Sequence, residues 1–556
     1  MVNRVTTNKN GINTHPCRHV IFRVGAGVPA SDRWRFSRVM LVLLCLFVIT
    51  HLQAQVSVVT YRNSLARSGA YLDERILTPA NVNPAQFGKV FSFPVDGQVY
   101  AQPLYLSHVT IPGKGAHNVV FVATEHNSVY AFEADSTTGM SDLALWHVNL
   151  TDASAGETTV SASDAMNCPS ISPEIGITGT PVIDPSTNTL YVVAATRGKE
   201  TFFHRLHALD VATGIERPGS PVVVTASVLG VGGDFFSPSP VKFLPYFQKN
   251  RAGLLLLNGV VYTSWASHCD ERSYHGWIIA FDARDLHQVS VFNTTPNSNR
   301  GAIWMGGAAP SADAEGNIYV VSGNGTFDVD AGGADLGDSV IKLSSPGLTL
   351  VDYFTPFNQL YLDRADIDLG SSGATLLPDT VGSVAHAHLL VSAGKEGRIY
   401  LLDRDRLGRY RADNDGQIVQ SIQGAIGALF AGPAYFRDTL YFAASNDRVK
   451  AFSISAARIG RSLSSQSSQV IAYPGAVPAI SANGSANGIV WLAESGVGGV
   501  LHAYDAANLA IELYNSEMNQ ARDSTGPLMK FSVPTIANGR VYVGTGDSLV
   551  VFGLQN

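Results

Sequence analysis

A short apolar strand with nearly the same ending occurs eight times along this chain of 556 residues. The copies are VYAFEA (129–134), LHALDV (206–211), IIAFDA (278–283), VIKLSS (340–345), IYLLDR (399–404), VKAFSI (449–454), LHAYDA (501–506) and LVVFGL (549–554). Their starts are 48 to 77 residues apart. A period of this size indicates one supersecondary unit, which is repeated because a single copy cannot bury its apolar face alone.

Each unit predicts three or four short strands. In the second unit, GTPVIDPSTNT (179–189) supplies an inner strand and a turn, LYVVAATRG (190–198) a second strand, and LHALDV the third. Small and apolar residues fill the inner strand, whereas β-branched and aromatic residues dominate the next two, as a buried pleated surface prefers. Fourth strands are predicted after several units, at 145–150, 221–226, 288–293 and 469–474.

The last unit has no room for a fourth strand, but FGKVFSFPV (87–95) stands ahead of the first complete unit. Pairing this segment with the last unit closes a ring and removes the remaining free sheet edge. The sequence therefore predicts an all-β protein, an eight-bladed β-propeller of four-stranded antiparallel blades. Its N-terminal strand pairs with the C-terminal blade. The propeller spans 87–556, and 55–86 is a lead-in segment.

The N-terminus has the order of a secretory signal peptide. Three arginines within 33–38 precede the apolar run 39–52, and the small residue Ala54 follows. The apolar run is shorter than the ~20 residues that a membrane span requires. We expect residues 1–54 to be a signal peptide with a polar N-terminal extension. The mature chain is then exported, to the periplasm or the exterior, and has no transmembrane span.

Export changes the charge and the cysteine count. Without 1–54 the chain holds 31 basic and 44 acidic side chains, a net charge of −13. An acidic surface of this kind repels phosphate backbones, which disfavours nucleic acid as a partner. Cys168 and Cys269 are the cysteines that remain. The propeller topology places both in loops on one face, which favours a disulfide over two unrelated thiols.

Two segments carry a family resemblance. The run A-L-D-x-x-T-G-x-E at 208–216 and the looser A-F-E-A-D-S-T-T-G at 131–139, with Trp146 further on, resemble the blade motif of the PQQ-like β-propeller repeat family. This family lies in the quinoprotein alcohol dehydrogenase-like superfamily, and the resemblance covers roughly 87–556. It implies the fold. It implies no single activity, because the family contains dehydrogenases, assembly scaffolds and many exported proteins of unassigned role.

The resemblance also makes PQQ, with calcium, a candidate cofactor. PQQ is a planar tricarboxylate, which needs cationic groups, an aromatic floor, usually a divalent metal, and a carboxylate base. Loops between the second and third strands and connections between blades meet at the mouth of the channel, and they contain all of these residue types. The candidates are Arg197, Lys199, Arg300, Arg364 and Lys395 as cations, Trp304, Trp265 or Trp277 as the floor, and Glu174 or Asp270 as metal ligand or base.

Two further motifs suggest metals less strongly. The acidic loop of blade 4, with Asp328, Asp330 and Asp335, resembles a short calcium loop, although no Glu stands at the closing position. The alternative is a solvated acidic loop. His386 and His388 point to one face of a strand, but two ligands do not complete a zinc site, and we expect a packed or exposed pair.

Motifs of common enzyme classes are absent from the sequence. It has no adjacent Cys-Cys pair, no C-x-x-C-H haem attachment, and no G-x-S-x-G, H-E-x-x-H or P-loop motif. The sequence favours a monomeric, non-catalytic exported propeller that binds a protein, a glycan or a small molecule through its loop face. The alternatives are a PQQ-dependent dehydrogenase of an alcohol or sugar, and a hydrolase or lyase that uses carboxylates at the mouth.

Overall fold

The computed structural model describes residues 56–137, 144–233, 239–271 and 274–555. The predicted signal peptide lies outside these residues. The chain from Val56 onward forms one compact unit. Among the described residues, no helix has both the length and the apolar character needed to cross a membrane.

Eight antiparallel sheets follow one another along the chain, one for each sequence repeat. Blade 1 consists of Leu104–Ile111, Gly115–Ala123, Ser128–Glu133 and Ala144–Asn149, and blade 2 of Val182–Asp184, Thr189–Arg197, Phe202–Asp210 and Val222–Val223. Blade 3 consists of Leu255–Leu257, Val260–Ser267, Trp277–Asp282 and Gln288–Asn293, and blade 4 of Ser311–Ala312, Asn317–Val321, Val340–Ser344 and Leu350–Phe354. In blades 5 to 7 they are Thr375–Leu376, Leu389–Ala393, Ile399–Asp403 and Gln420–Ile422; Ala434–Phe436, Thr439–Phe442, Asp447–Ser455 and Ser465–Ile471; and Ala479–Asn483, Ala486–Glu494, Val500–Asp505 and Glu512–Asn515.

Blade 8 is shared between the two ends of the propeller. Its first three strands are Thr535–Ala537, Arg540–Gly544 and Ser548–Leu554, and its fourth strand is Phe87–Pro94. This strand pairs antiparallel with the third, so that Phe87 lies opposite Leu554 and Pro94 opposite Ser548. The predicted fold class is confirmed, and in each blade the repeated sequence motif falls on the third strand.

Further short strands and helices lie outside the four main strands of each blade. Small additional strands are Gln248–Lys249 on blade 3, Arg458–Ile459 on blade 6, and the pairs Val160–Ser161 with Glu174–Ile175 and Ser227–Val228 with Val241–Lys242. The helices are Gln359–Ala365 and Gln520–Asp523, with 3-10 turns at Tyr61–Asn63, Ala153–Ala155, Met305–Gly307, Val329–Ala331, Leu369–Ser371 and Asp379–Val381.

The apolar core lies between neighbouring blades, where β-branched and aromatic side chains of facing sheets interdigitate. Trp146 at the end of blade 1 shows how the repeat motif contributes. Its indole N–H donates to the carbonyl of Val211 at 2.9 Å. Gly214 has φ +71°, and a Cβ there would lie 2.6 Å from the indole ring. Glycine is therefore required at this position of the A-L-D-x-x-T-G run, both by the backbone conformation and by the ring.

The lead-in segment crosses the ring at the face opposite the blade-to-blade connections. Ser57–Val58 pairs with the inner strand of blade 1, and Ala70–Tyr71 runs parallel to that of blade 7. Between them, carbonyls of the segment accept backbone N–H groups from the inner strands of blades 2, 4, 5, 6 and 7: Ile183 to Val59, Ala312 to Leu65, Leu376 to Ala66, Tyr435 to Ser68 and Ile480 to Gly69.

Two arginines of the lead-in segment lie inside the ring, each only 1% exposed. Arg62 donates to the carbonyls of Gly432 at 3.0 Å and Pro433 at 2.8 Å. Arg67 donates to the carbonyl of Pro310 at 2.9 Å. Buried cations are costly unless they are hydrogen-bonded, and these bonds fasten the segment to blades 4 and 6.

Candidate functional site

A cavity of about 420 Å³, here called the mouth pocket, opens at the face where the blade-to-blade connections meet. Every connection from blades 1–2 to blades 7–8 contributes to its wall, as do the second-to-third strand loops of blades 3 and 5. The volume is in the range of small-molecule sites. The wall holds four cations (Lys249, Arg251, Lys395, Lys530), three carboxylates (Asp270, Asp366, Asp368) and four rings (Trp304, Phe430, Tyr473, Phe531).

Arg251 is the most constrained cation of the mouth pocket. It is 5% exposed, and its guanidinium carbon lies 5.1 Å from the ring centroids of both Tyr100 and Phe531. The two rings hold the guanidinium in place through cation–π contacts. Its Nη2 is buried and has no hydrogen-bond partner among the described residues. A buried donor left unpaired costs about 1–3 kcal/mol, so an anionic ligand at this position would be stabilising.

Lys249 and Lys530 lie on the same side of the pocket. Lys249 is 7% exposed, and its Nζ lies 3.2 Å from the hydroxyl of Ser170. Burial and, to a smaller extent, the charge of Arg251 lower the pKa of Lys249 to about 7 and that of Lys530 to about 8. Over the described part of the chain, neither lysine nor Arg251 has a carboxylate within ion-pair distance.

Glu125 is a buried acid whose charge acts on Arg251 and Lys249, and burial raises its pKa to about 7. Its Oε2 accepts the backbone N–H of Gly176 at 2.8 Å and the hydroxyl of Thr178 at 3.0 Å. Its Oε1 is buried without a hydrogen-bond partner in the described residues. Because its protonated form is favoured by burial, Glu125 neutralises the cations only in part near neutral pH.

The opposite wall is built around Lys395. Its ammonium lies 3.0 Å from Oδ1 of Asp366 and 2.5 Å from Oδ2 of Asp368, and 5.8 Å from the ring centroid of Trp304. Burial by itself lowers the pKa of Lys395, but the charges and hydrogen bonds of Asp368 and Asp366 together outweigh it, and the pKa is raised overall. Asn324 donates to the same carboxylates, through its backbone to Asp368 and through its side chain to Asp366, both at 2.8 Å.

Cys168 and Cys269 form a disulfide, as predicted, with their Cα atoms 5.6 Å apart. It joins the connection between blades 1 and 2 to the second-to-third strand loop of blade 3. Cys269 and the neighbouring Asp270 both line the mouth pocket. Asp270 accepts the hydroxyl of Ser267 at 3.0 Å. The disulfide therefore positions one wall of the pocket.

The structure brings Trp304, Lys395 and Asp270 together, out of the residues proposed from the sequence for PQQ. The others lie outside the pocket wall: Glu174, Arg197, Lys199, Arg300, Arg364, Trp265 and Trp277. Arg197 pairs with Asp164 at 3.1 Å, Arg300 pairs with Asp363 at 2.8 Å, and Lys199 and Arg364 are exposed. Glu174 accepts from His126 at 3.0 Å. Both tryptophans are fully buried between blades 2 and 3.

The acidic loop of blade 4 is held by backbone N–H groups, one from the loop itself and one from the connection between blades 3 and 4. Oδ1 of Asp328 accepts the N–H of Asp335 at 2.8 Å, and Oδ1 of Asp335 accepts the N–H of Asn297 at 2.9 Å. Burial raises the pKa of Asp335, whereas Asp330 is exposed. Among the described residues, the group with a metal-like spacing is instead Asp282, Asp285 and His287, far from this loop in sequence and partly exposed. Calcium binding by the blade 4 loop stays a prediction.

Sequence reasoning missed Lys249, Arg251, Lys530 and Phe531. All of them lie just before the inner strand of a blade, in the runs K-N-R-A-G (249–253) and K-F-S-V (530–533). Superposing the eight units would have marked these positions, because each inner strand starts at the mouth.

A larger cavity, of about 790 Å³, lies on the opposite face between the lead-in segment and the strand turns of blades 4 to 7. His388, one of the two histidines of the H-A-H motif, is part of its wall and pairs with the exposed Asp405 at 2.8 Å. The wall is mostly apolar and gathers no comparable group of unpaired cations. The mouth pocket is therefore the stronger candidate for a functional site.

No family model and no curated protein matches the chain. Solved structures similar to it include the quinohemoprotein alcohol dehydrogenases of Pseudomonas putida HK5 (13% identity, TM-score 0.58) and Comamonas testosteroni (14% identity, TM-score 0.57), each aligned over 90% of this chain and 80% of its own. A europium-containing methanol dehydrogenase aligns over 90% of this chain and 99% of its own, with 12% identity and a TM-score of 0.55. Identities this low establish the fold alone. The chain thus has the fold of a PQQ-like β-propeller, shared with these dehydrogenases.

Proposed function

We propose that this protein is an exported propeller that works as a non-catalytic binding module and holds a small anionic molecule in the mouth pocket. The observation that carries the proposal is the guanidinium of Arg251. It is buried, clamped between Tyr100 and Phe531, and has an unpaired Nη2. A preorganised guanidinium is suited to a carboxylate or phosphate, because its fork of donors matches two oxygens at once.

The charge distribution of the pocket supports an anion. Lys395 is already paired with Asp366 and Asp368, and this group of three carries a net charge of −1 when all are ionised. Arg251, Lys249 and Lys530 then face Asp270 alone on the pocket wall. Export is supported by the disulfide, since such bonds persist in oxidising compartments, and by the signal-like pattern of residues 1–54.

The test is calorimetric titration of the purified protein with acetate, benzoate, phosphate and benzene-1,3,5-tricarboxylate. We expect at least one of these anions to bind, and Arg251→Met to weaken it about 10- to 100-fold, the loss of one charge-assisted hydrogen bond. Lys199→Met, which removes an exposed cation outside the pocket, is the matched control and should bind as the parent does. If no anion binds, or if Arg251→Met binds as tightly as the parent, the proposal is wrong.

A PQQ-dependent dehydrogenase of an alcohol or sugar is the second candidate. It is favoured by the presence of Trp304, Lys395 and Asp270 in one pocket and by the dehydrogenases that share the fold. Arg251 and Lys249 would hold carboxylates of the quinone, and Trp304 would be its floor. The divalent metal fits less well, because Asp366 and Asp368, two of the three carboxylates of the pocket wall, already pair with the ammonium of Lys395.

Gel filtration of the protein after incubation with PQQ, with and without Ca²⁺, separates the two candidates. Quinone absorbance that co-elutes with the protein, together with dye reduction on addition of alcohols or sugars, would establish the dehydrogenase. Retention of PQQ without dye reduction would instead support the binding module, because PQQ is itself a tricarboxylate.

A further inference from the structure

We propose that the ligand of the mouth pocket is a uronic acid sugar, either free or at the end of an acidic polysaccharide; this rests on the proposed function above. The pocket combines, in one cavity, a site for a single carboxylate, an aromatic platform and acceptors for hydroxyl groups. A uronate has a matching group for each of the three: one carboxylate, an apolar C–H face and several hydroxyl groups.

The aromatic platform is made by three rings that approach one another across the pocket. The centroids of Phe430 and Phe531 are 6.0 Å apart with an interplanar angle of 23°, and Trp304 lies 6.1 Å from Phe430 and 6.5 Å from Phe531. The apolar C–H face of a pyranose ring packs well on such a surface. Phe531 also contacts Arg251, so a sugar on the platform would bring a substituent within reach of the guanidinium.

The hydroxyl acceptors lie on the opposite wall. Asp366 uses Oδ1 for both Lys395 and Asn324, which leaves Oδ2 for a ligand, and its side chain is 69% exposed. Asp270, on the side of Lys249, adds a further exposed carboxylate to the pocket wall. Carboxylates accept several O–H donors each, and a uronate offers such donors around its ring.

The net charge of the pocket wall favours a ligand with one negative charge, such as a uronate, over a ligand with several. With all groups ionised, the four cations and three carboxylates of the pocket wall leave a net charge of +1, which a partly ionised Glu125 reduces. The net positive charge therefore suits no more than one carboxylate. A tricarboxylate would place two further negative charges beside Asp270, Asp366 and Asp368, where like charges repel.

The decisive experiment titrates the purified full chain with D-galacturonate, D-glucuronate, trigalacturonate, neutral D-galactose and benzoate. We expect a uronate to bind at least ten times more tightly than either galactose or benzoate. Asp366→Asn should weaken the uronate about tenfold, because it alters the hydroxyl acceptor, and should not weaken benzoate, because it removes a negative charge that pairs with Lys395. Arg251→Met should weaken both. Asp413→Asn, an exposed aspartate outside the pocket, is the matched control and should have no effect.

The outcomes divide cleanly. If benzoate binds as tightly as the uronates, or if Asp366→Asn leaves uronate binding unchanged, the sugar assignment is wrong while the anion-binding function stands. If neither the uronates nor benzoate bind, the sugar assignment is wrong, and the anion-binding function fails with it only when acetate, phosphate and benzene-1,3,5-tricarboxylate do not bind either. Tighter binding of trigalacturonate than of galacturonate would identify the end of a polysaccharide as the source, and equal binding would identify the free sugar.

Discussion

The disulfide between Cys168 and Cys269 should be a major contributor to the stability of the propeller. It closes a loop over a sequence separation of 101 residues. The chain-entropy model gives about 4.7 kcal/mol for a loop of this length, through restriction of the unfolded chain. For a folded unit of roughly 500 residues, the entropy of unfolding is about 1 kcal/mol/K. Removal of the bond should therefore lower the melting temperature by about 5 °C.

Scanning calorimetry of three samples tests this value: the oxidised parent, the parent with dithiothreitol, and the variant with both cysteines changed to alanine. Reduction breaks the bond without altering the side-chain packing around Cys168, which is 1% exposed. The reduced parent and the variant should melt at similar temperatures, and dithiothreitol should not affect the variant. A shift of less than about 1 °C on reduction would refute the entropic reasoning.

Three further changes test the ring itself. Gly214→Ala should destabilise the fold by about 2–4 kcal/mol, because the added methyl group meets an indole ring and the backbone is left-handed. The control Gly113→Ala, with a similar φ of +73° and open space around it, should cost only about 1 kcal/mol. Equal urea midpoints for the two variants would count against the packing argument. Burial raises the pKa of Glu125 to about 7, above its unfolded value of about 4.3, so the folded parent holds an extra proton between these values and loses up to about 4 kcal/mol as the pH rises through them. Glu125→Gln should remove this dependence, so an undiminished fall between pH ~4 and pH ~7 in the variant would contradict the assignment. Arg62→Met leaves buried carbonyls without donors and should lower the free energy of unfolding by about 3 kcal/mol or more. The control Arg75→Met, at an exposed position, should change it by no more than about 0.5 kcal/mol. Similar melting curves for both variants would show that the lead-in segment is not anchored as described.

The blade architecture could be read from the sequence because its signal is local. Each third strand is a short apolar run that repeats, and period-2 alternation with β-branched residues marks its neighbours. The shared blade could also be predicted from the number of strands, because the last unit lacks a fourth strand and residues 87–95 supply it. The role of the lead-in segment could not be predicted, because Arg62 binds backbone carbonyls some 370 residues away. Every residue has a backbone carbonyl, so the residue type does not reveal which carbonyls accept these bonds.

The site was only partly predictable for a related reason. Trp304, Lys395 and Asp270 were found because the propeller topology says which loops share a face. Charge alone suggested Arg197 and Arg300, but each is paired with an aspartate from another part of the chain. Ion pairing depends on tertiary contacts, which a single sequence does not contain. The unpaired Nη2 donor of Arg251 can likewise be identified only from the structure, which shows that this atom is buried.

The lead-in segment sets a condition on the order in which this protein can fold. It is synthesised before every blade, yet Tyr71 donates to Pro534 and Glu74 accepts from Gly539, partners 463 and 465 residues later. Repeat proteins whose units touch only their neighbours can grow stepwise, whereas contacts this distant must wait for nearly the whole chain and are expected to slow folding. The nascent propeller therefore stays an open arc with exposed strand edges until the last blade is made. Cooperativity across the whole ring, rather than blade by blade, follows from those late contacts.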